Sequence, residues 1–397
     1  MSQSTQPIGS VLESLDILNP ESFKNDGDRH KALLSAYALV SRLETPFETT
    51  ERLCMNQPAL GASLKVAKDV QLFERWHEQG DSVQDSNSLA EMVGCQPGLL
   101  VRILRHLAAN HVLEQVSGDT FKPSHFSIAL AQPVIGEWIT YLYDSAIPSF
   151  HKAPEYLRST NYTNPTDPQD GIFQYAKGGY KGDLFQYYSE NPREGAAFSQ
   201  IMGGVIAAHQ ASWLDIISVP EHILADADPD PTSPLLVDIG GNIGHDLENF
   251  RVAYPDLASR LYLQDLPAVI ERATCPDPVN KIAHDFFEPQ PVRGARVYYL
   301  HAVLHDWADE PARKILTMLS GALKRGYSKL LVHDHVIPET DVHPHTTSFD
   351  LNMMALLAGK ERTEVEWRVL LESAGYRVVR VWRSPLAVQG IVEAELA

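Results

Sequence analysis

The sequence predicts an α/β protein in which a mostly parallel sheet, with helices on both faces, follows an N-terminal helical domain. From residue 235 onward strands and helices alternate, a pattern typical of a covered parallel sheet. The candidate strands lie at 235–240, 260–265, 295–301, 328–334, 376–383 and 387–394, and the candidate helices lie near 245–254, 310–324 and 363–374. The first strand runs into a glycine-rich turn, which indicates a ligand site at the carboxyl edge of the sheet.

The N-terminal part of the chain shows the pattern of a winged helix. Residues 61–130 form three helical stretches, the second of which we expect Ser88 to cap and Gly94 to end, followed by a short ribbon. Modules of this kind often bind DNA. However, residues 61–130 contain six Lys and Arg against eight Asp and Glu, so the basic surface that DNA requires is missing. The sequence therefore predicts no nucleic-acid partner.

Length and composition set the domain organisation. A chain of 397 residues is long for one core, and we place two domains at 1–135 and 136–397, the second including a helical linker region. The net charge of −18 further argues against nucleic acid. No stretch approaches the roughly 18 apolar residues of a membrane helix. The first ten residues do not resemble a signal peptide. The three cysteines show no metal-ligand spacing, which favours a cytoplasmic location.

The glycine turn is the first candidate site. Its glycines let a ligand lie against the backbone just beyond the first strand, as in enzymes that bind NAD, flavin or S-adenosylmethionine (SAM). Asp265 ends the second strand and suits a ribose diol, which SAM and dinucleotides share. The alternative for Asp265 is the N-cap of a helix over 267–273.

Further motifs follow in a fixed order. After the turn Asp238-Ile-Gly-Gly-Asn-Ile-Gly244 come Asp265-Leu-Pro267, His284-Asp-Phe286, Leu304-His-Asp-Trp307 and Gly359-Lys-Glu-Arg-Thr363. Together they resemble the SAM-dependent O-methyltransferases of small molecules, of the plant caffeic-acid type and its fungal natural-product relatives. The resemblance covers about residues 60–397. It implies a Rossmann-like class I methyltransferase domain, SAM as cofactor, and a winged-helix-like N-terminal domain that forms a homodimer.

The resemblance implies a set of cofactor-binding residues, namely Asp238, Gly240, Gly241, Gly244, Asp265, Leu266, Asp285, Phe286 and His301. Asp238 would face the ammonium of SAM, and backbone N–H groups of the turn would meet its carboxylate. Asn242 replaces a glycine that many such enzymes have, but asparagine tolerates left-handed backbone angles. The family usually has Lys or Arg where this chain has His301, so the contact there would vary with pH.

The resemblance also implies the catalytic residues. Methyl transfer to a phenol needs a base, and His305 follows a strand that directs it to the carboxyl edge of the sheet. The family orients this base with acidic residues, matched here by Asp334 and Glu361, and Asp306 lies beside it in the motif. A shorter Asp334 in place of the usual glutamate would shift the imidazole.

Two of the acidic residues have structural alternatives. Glu361 could be a solvated charge before the helix that begins near Thr363, where Thr363 and Glu366 form a capping box. Asp309 we expect to cap the helix 310–324.

The remaining candidate residues concern an acceptor pocket and a metal site. By resemblance the pocket would include Phe198, Met202, Asp350, Met353 and Met354, although methionines at helical spacing are more often plain core. The histidines His333, His335, His343 and His345 raise the possibility of a metal. Since His333 and His335 share one strand face with Asp334 opposite, the sequence predicts no metal site.

The sequence therefore predicts a homodimeric, SAM-dependent O-methyltransferase that acts on a hydroxyl of an aromatic natural product. One alternative is an enzyme of the same fold that binds SAM without transferring its methyl, as in fungal relatives that catalyse pericyclic reactions. In such relatives the base tends to be replaced, whereas His305 is present. The other alternative is a winged-helix regulator that senses a ligand, which the missing basic surface disfavours.

Overall fold

The computed structural model describes residues 8–208, 212–340, 342–384 and 389–397. The chain forms two compact units, Met1–Ala59 and Leu60–Ala397. The described part of the first unit is mainly helical, and none of the side chains whose burial is described there is buried; the helices are α1 (Ile8–Asp16), α2 (Asp26–Leu43) and α3 (Pro46–Glu51). The domain boundary that the sequence places at residue 135 stays a prediction.

The predicted winged helix is present. Its elements are α4 (Gln57–Asp69), α5 (Leu72–Glu78), β1 (Gln84–Asp85), α6 (Ser86–Val93), α7 (Pro97–Ala109), β2 (Leu113–Ser117), β3 (Thr120–Pro123) and α8 (His125–Leu130), with strand order β1-β3-β2. The predicted cap was wrong: Asp85, not Ser88, caps α6, because its carboxylate accepts from the N–H of Asn87 at 2.9 Å and of Ser88 at 3.1 Å. Gly94 ends the helix in the left-handed conformation, as predicted.

Helices connect this module to the sheet. They are α9 (Pro133–Tyr141), α10 (Ile147–Ser159), α11 (Ile172–Ala176), α12 (Leu184–Glu190), α13 (Pro192–Ala208) and α14 (Trp213–Ile216). Aromatic side chains of α9, α12 and α13 pack with α18, introduced below, into one apolar cluster. In the described ranges, no helix is long and apolar enough to cross a membrane.

The region after residue 235 forms the predicted α/β sheet. Its strands are β4 (Leu236–Ile239), β5 (Leu261–Asp265), β6 (Asn280–Ala283), β7 (Val297–His301), β8 (Lys329–Ile337), β9 (Arg362–Thr363), β10 (Tyr376–Arg383) and β11 (Gln389–Leu396). The helices are α15 (His245–Ala253), α16 (Pro267–Ile270), α17 (Asp309–Ser320), α18 (Pro344–Leu357) and α19 (Glu364–Ser373).

The topology brings the motifs to one edge. The strand order is β10-β11-β8-β7-β4-β5-β6, with β6, β5, β4, β7 and β8 parallel and β11 and β10 antiparallel. The central strands are buried on both faces, which explains their continuous apolar runs. Strand β6 was missed because Asn280-Lys-Ile-Ala283 is short and only partly buried. The carboxyl ends of β4, β5, β7 and β8 therefore meet where parallel sheets bind ligands.

Candidate active site

The turn after β4 depends on residues that tolerate left-handed angles. Gly240, Asn242 and Gly244 have φ of 69°, 53° and 95°. A Cβ at Gly244 would collide with the sulfur of Cys275, and a Cβ at Gly241 would collide with the Asp238 carboxylate. Glycine is therefore required at these two positions, and Asn242 adopts the conformation expected of it.

Asp238 is a buried carboxylate without a hydrogen-bond partner in the described part of the chain. Its side chain is on β4, the residue is 1% exposed, and neither oxygen accepts a hydrogen bond. Burial, and next the charge of Asp246, raise the pKa of Asp238 well above its usual value. An unpaired carboxylate is costly to bury, so this site fits a ligand with a positive charge, such as the ammonium of SAM.

Asp265 connects the end of β5 to the glycine turn. Its Oδ2 accepts from the N–H of Asn242 at 2.8 Å, and its Oδ1 accepts from the N–H of Leu266 at 2.7 Å. The alternative as an N-cap was wrong, because the N-cap residue of α16 is Leu266 and no side chain caps that helix. Each carboxylate oxygen keeps a lone pair for a further donor, as a ribose diol would supply.

The remaining predicted cofactor residues lie around the same edge. Leu266 is half-exposed. Asp285 accepts from the N–H of Phe287 at 2.9 Å, and Phe286 packs edge-on against Trp307 with ring centroids 6.1 Å apart. Their contacts with a cofactor stay a prediction.

His301, at the end of β7, lies in an ion pair. Its Nδ1 is 2.6 Å from Oδ2 of Asp246, its Nε2 is 3.1 Å from Oε1 of Gln389, and its ring stacks on His333 at 4.1 Å. Burial lowers the pKa of His301, but the charge and hydrogen bond of Asp246, the hydrogen bond to Gln389 and the charge of Asp334 together outweigh burial and raise the pKa to about 8. At neutral pH this histidine therefore carries a positive charge beside the glycine turn.

His305 lies on a 3₁₀ turn, Leu304–Asp306, directly after β7. Its Nδ1 is 2.8 Å from Oε1 of Glu361 and 3.8 Å from Oδ1 of Asp334, and its Nε2 is 3.4 Å from Oδ1 of Asp306. Glu361 is therefore the hydrogen-bond partner, while Asp334 and Asp306 act on the imidazole through their charge. The short side chain of Asp334 therefore does not reach hydrogen-bond distance of His305, whereas the longer side chain of Glu361 does.

The carboxylates stabilise the protonated imidazole. Burial lowers the pKa of His305, but the charges of Glu361, Asp334 and Asp306 outweigh burial and hold it well above its usual value. Burial raises the pKa of Asp306 to about 7 and that of Asp334 to about 6. Burial raises the pKa of Glu361, but the charges and hydrogen bonds of His305 and His335 together outweigh burial, and the pKa falls to about 2.

Glu361 is a buried residue, 2% exposed, so its interpretation as a solvated charge was wrong. The predicted capping box is present just beyond it: the Glu366 carboxylate accepts from the N–H of Thr363 at 2.9 Å, and Thr363 Oγ1 accepts from the N–H of Glu366 at 3.2 Å. Thr363 and Glu366 therefore begin α19, while Glu361 faces the site.

Arg362 fixes the loop that carries the base, a role the sequence did not reveal. This fully buried arginine donates from Nη1 to the carbonyl of Leu304 at 2.9 Å and from Nη2 to the carbonyl of Trp307 at 2.8 Å. Its Nε donates to Oδ1 of Asp309 at 3.0 Å. The predicted cap was wrong here too: the N-cap of α17 is Ala308, and Asp309 pairs with Arg362.

Two further residues hold Glu361. Nδ1 of His335 lies 3.0 Å from the same Oε1 that contacts His305. Oδ1 of Asp350 accepts from the N–H of Glu361 at 2.9 Å, so a residue predicted for the acceptor pocket also positions an acidic residue. The sequence singled out His335 only as a possible metal ligand, and no pattern predicted its contact with Glu361.

Of the residues predicted for the acceptor pocket, only Phe198 and Met353 lie in one apolar cluster. Phe198 stacks on Tyr188 at 4.9 Å, and the buried Met353 belongs to the same cluster. Met202 and Met354 are partly buried. Their contacts with an acceptor stay a prediction.

The sequence missed a polar contact in this region. Asn352 Nδ2 donates to the hydroxyl of Tyr141 at 3.0 Å. The two residues are far apart in the chain, and no local pattern pointed to them.

Known proteins resemble this chain along its whole length. The O-methyltransferase domain family matches residues 164–377. O-methyltransferase mfmE of Annulohypoxylon moriforme is 58% identical over 394 residues, which cover 99% of this chain and 97% of mfmE. A structure described as a pericyclic reaction enzyme superposes with a TM-score of 0.88 at 27% identity, covering 98% of this chain and 99% of that one. LepI, solved in complex with SAM, gives 0.87 at 27% identity, covering 98% of both chains.

Proposed function

The chain belongs to the O-methyltransferase domain family, and from this premise we propose that His305 is the general base with which it methylates a hydroxyl of an aromatic natural product. The enzyme is a SAM-dependent O-methyltransferase, and SAM, when bound, supplies the methyl group. The observation that carries the proposal is the buried contact of 2.8 Å between Nδ1 of His305 and Oε1 of Glu361. Incubation with SAM and candidate phenols tests it, through a mass gain of one methyl and formation of S-adenosylhomocysteine (SAH).

The mechanism follows from where the proton is held. Glu361 keeps the proton of His305 on Nδ1, which leaves the lone pair of Nε2 for the acceptor hydroxyl. Moving the hydroxyl proton to Nε2 converts a neutral imidazole and a phenol into an imidazolium and a phenolate, without gain or loss of a proton by the pair. The surrounding carboxylates favour the second arrangement because they stabilise the imidazolium. The acceptor oxygen is thereby made nucleophilic, although a phenol in water has a pKa near 10.

The cofactor assignments are supported by unused hydrogen-bonding capacity. Asp238 has two partnerless oxygens that suit the ammonium of SAM, and Asp265 lies at the turn with lone pairs free for the ribose diol. His301 carries the positive charge at a position where the family usually has lysine or arginine, and we assign it to the negatively charged carboxylate of SAM.

We expect the affinity for SAM to fall as the pH rises through about 8, because His301 then loses its charge. In His301→Lys the side chain stays protonated until about pH 10, so its affinity should change less over pH 6.5–9.5. The ammonium of SAM titrates alike in both proteins, so the difference between them isolates His301. Calorimetric titration measures it, and identical pH profiles for the two proteins would contradict the assignment.

We propose that the enzyme is a homodimer. The first unit has no buried side chain among its described residues, yet it exposes apolar side chains that include Leu12, Tyr37, Leu43, Phe47 and Met55. Apolar surface of this kind indicates a partner, and a second copy of the chain fits the N-terminal dimerisation implied by the sequence.

Light scattering at micromolar concentration should give about twice the chain mass of 44.2 kDa. The double variant Leu43→Glu, Phe47→Glu should shift the mass toward the monomer, because two charges would then enter an apolar interface. Ser41→Glu is a matched control at an exposed polar position. A monomeric wild type would refute the dimer.

A cytoplasmic location is also proposed. All three cysteines are free thiols, and Cys54 is exposed, which suits a reducing compartment. Cell fractionation followed by an assay for SAH formation tests this location.

One structural observation favours a second candidate function. The superposition on a pericyclic reaction enzyme shows that this fold also serves reactions of that kind. Conversion of an acceptor without formation of SAH would favour it over methyl transfer. The presence of His305 with its carboxylate partner supports methyl transfer.

A further inference from the structure

We propose that His305, His335 and Glu361 form a binding site for Zn²⁺, and that Zn²⁺ bound there stops methyl transfer. The inhibitory part of this inference rests on the proposed role of His305 as the base. The three residues come from the 3₁₀ turn after β7, from β8 and from the segment before β9. Each offers one ligand atom, and these atoms lie within 4.8 Å of one another.

The geometry suits a small, tightly coordinated ion. Oε1 of Glu361 is 2.8 Å from Nδ1 of His305 and 3.0 Å from Nδ1 of His335. Two imidazole nitrogens and one carboxylate oxygen form a ligand set typical of protein-bound zinc. Tetrahedral ligands about 2.0–2.1 Å from zinc lie about 3.3 Å apart, so the two contacts of Glu361 have to lengthen by only a few tenths of an ångström. All three ligand atoms already lie within 4.8 Å of one another.

Charge favours a cation at this place. Glu361 and Asp334 are buried and Asp306 is largely buried, and among the described residues the ion pairs of these three carboxylates are all with histidines. Both oxygens of Asp334 and Oε2 of Glu361 lack a hydrogen-bond partner. Because buried negative charge without a partner is costly, a divalent ion would be stabilised here.

Two ligand positions remain available in the protein. Neither ring nitrogen of His335, a residue 2% exposed, makes a well-aligned hydrogen bond. Oδ1 of Asp334 is 3.8 Å from Nδ1 of His305 and can complete a tetrahedral set. The prediction of no metal from the sequence considered His333 and His335 on one strand and His343 and His345 in a loop. The set found here instead combines His335 with His305 and Glu361, which come from two other segments of the chain.

Zinc at Nδ1 would block the base directly. A neutral imidazole carries one proton, and when Nδ1 binds a metal that proton resides on Nε2. Nε2 is the atom that must accept the proton of the acceptor hydroxyl, so the metal-bound form cannot act as the base. Zinc binding at Nδ1 and proton transfer to Nε2 therefore cannot occur together on the imidazole of His305.

Competition with a chromogenic chelator measures zinc binding to the full-length protein. One tight site per chain is expected, with affinity at least tenfold weaker in Glu361→Gln and in His335→Phe, a change to a ring of similar shape beside Phe349. The matched control is the double variant His343→Ala, His345→Ala, which should bind like wild type. Equal binding by wild type and His335→Phe, or loss of binding in the control, would overturn the site.

Cobalt gives a readout on the unmodified protein. Co²⁺ in a tetrahedral site of nitrogen and oxygen ligands should produce an intense visible absorption band, which added Zn²⁺ removes. A weak octahedral spectrum would count against the site.

Activity separates this inference from the proposed function. SAH formation should fall with zinc occupancy and recover with EDTA. Bound zinc without inhibition would overturn the inhibitory role. One zinc per chain in an enzyme that methylates no acceptor would support the site and contradict the proposed function. Methylation of an acceptor by an enzyme that binds no zinc would support the proposed function and overturn the zinc site.

Discussion

Replacing His305 with alanine should lower the rate of SAH formation by about 100- to 10,000-fold, the usual effect of losing a general base. Affinity for SAM should stay nearly unchanged, because His305 contacts Glu361 and not the glycine turn. Raising the pH should partly rescue the variant, since a phenol with a pKa near 10 then ionises without help. Single-turnover formation of SAH and calorimetric titration with SAM measure the two effects.

The carboxylates around the base should rank by distance. Glu361→Gln should lose more activity than Asp334→Asn, because Glu361 lies at 2.8 Å from Nδ1 and Asp334 at 3.8 Å. Both should lose less than His305→Ala, since they orient the imidazole and do not take the proton. His151→Ala, at an exposed histidine on α10, is the control. A His305→Ala enzyme with wild-type turnover would remove His305 from the mechanism.

Asp238→Asn should have two opposite effects. Affinity for SAM should weaken by about 1.5–3 kcal/mol, because the amide cannot form a charged hydrogen bond with the ammonium. The protein without cofactor should become more stable. Because the pKa of Asp238 is raised in the folded state, this carboxyl group destabilises the fold at pH values above its unfolded-state pKa, and asparagine, which does not titrate, removes that cost.

Thermal unfolding with and without SAM shows both effects in one experiment. The midpoint without SAM should rise in Asp238→Asn, and the further rise on adding SAM should shrink relative to wild type. Asp256→Asn, at an exposed position of the same region, is the control. Unchanged affinity in Asp238→Asn would show that this carboxylate does not meet the ammonium.

Features that depend on neighbouring residues could be predicted from the sequence. Alternating strands and helices gave the sheet, and the glycine turn has the left-handed angles that its residues tolerate. The family and the SAM-dependent O-methyltransferase function are likewise confirmed. Three helix caps were misassigned, at Ser88, Asp265 and Asp309. A cap depends on the backbone geometry of one residue, and a shift of a single position moves it.

The sequence by itself determined the order of the motifs and identified His305 as the candidate base. The resemblance named Glu361, Asp334 and Asp306 near that histidine, but only the tertiary structure decided which of them contacts it and which further groups support the site. Glu361 is 56 residues from His305 in the chain, and Arg362 binds the carbonyl of Leu304 across 58 residues. Such contacts have no local pattern, because they form when the sheet brings the ends of β7 and β8 together with the segment before β9. Packing therefore decides the partners of a buried charge, because it excludes water and only the neighbouring buried groups can then stabilise that charge.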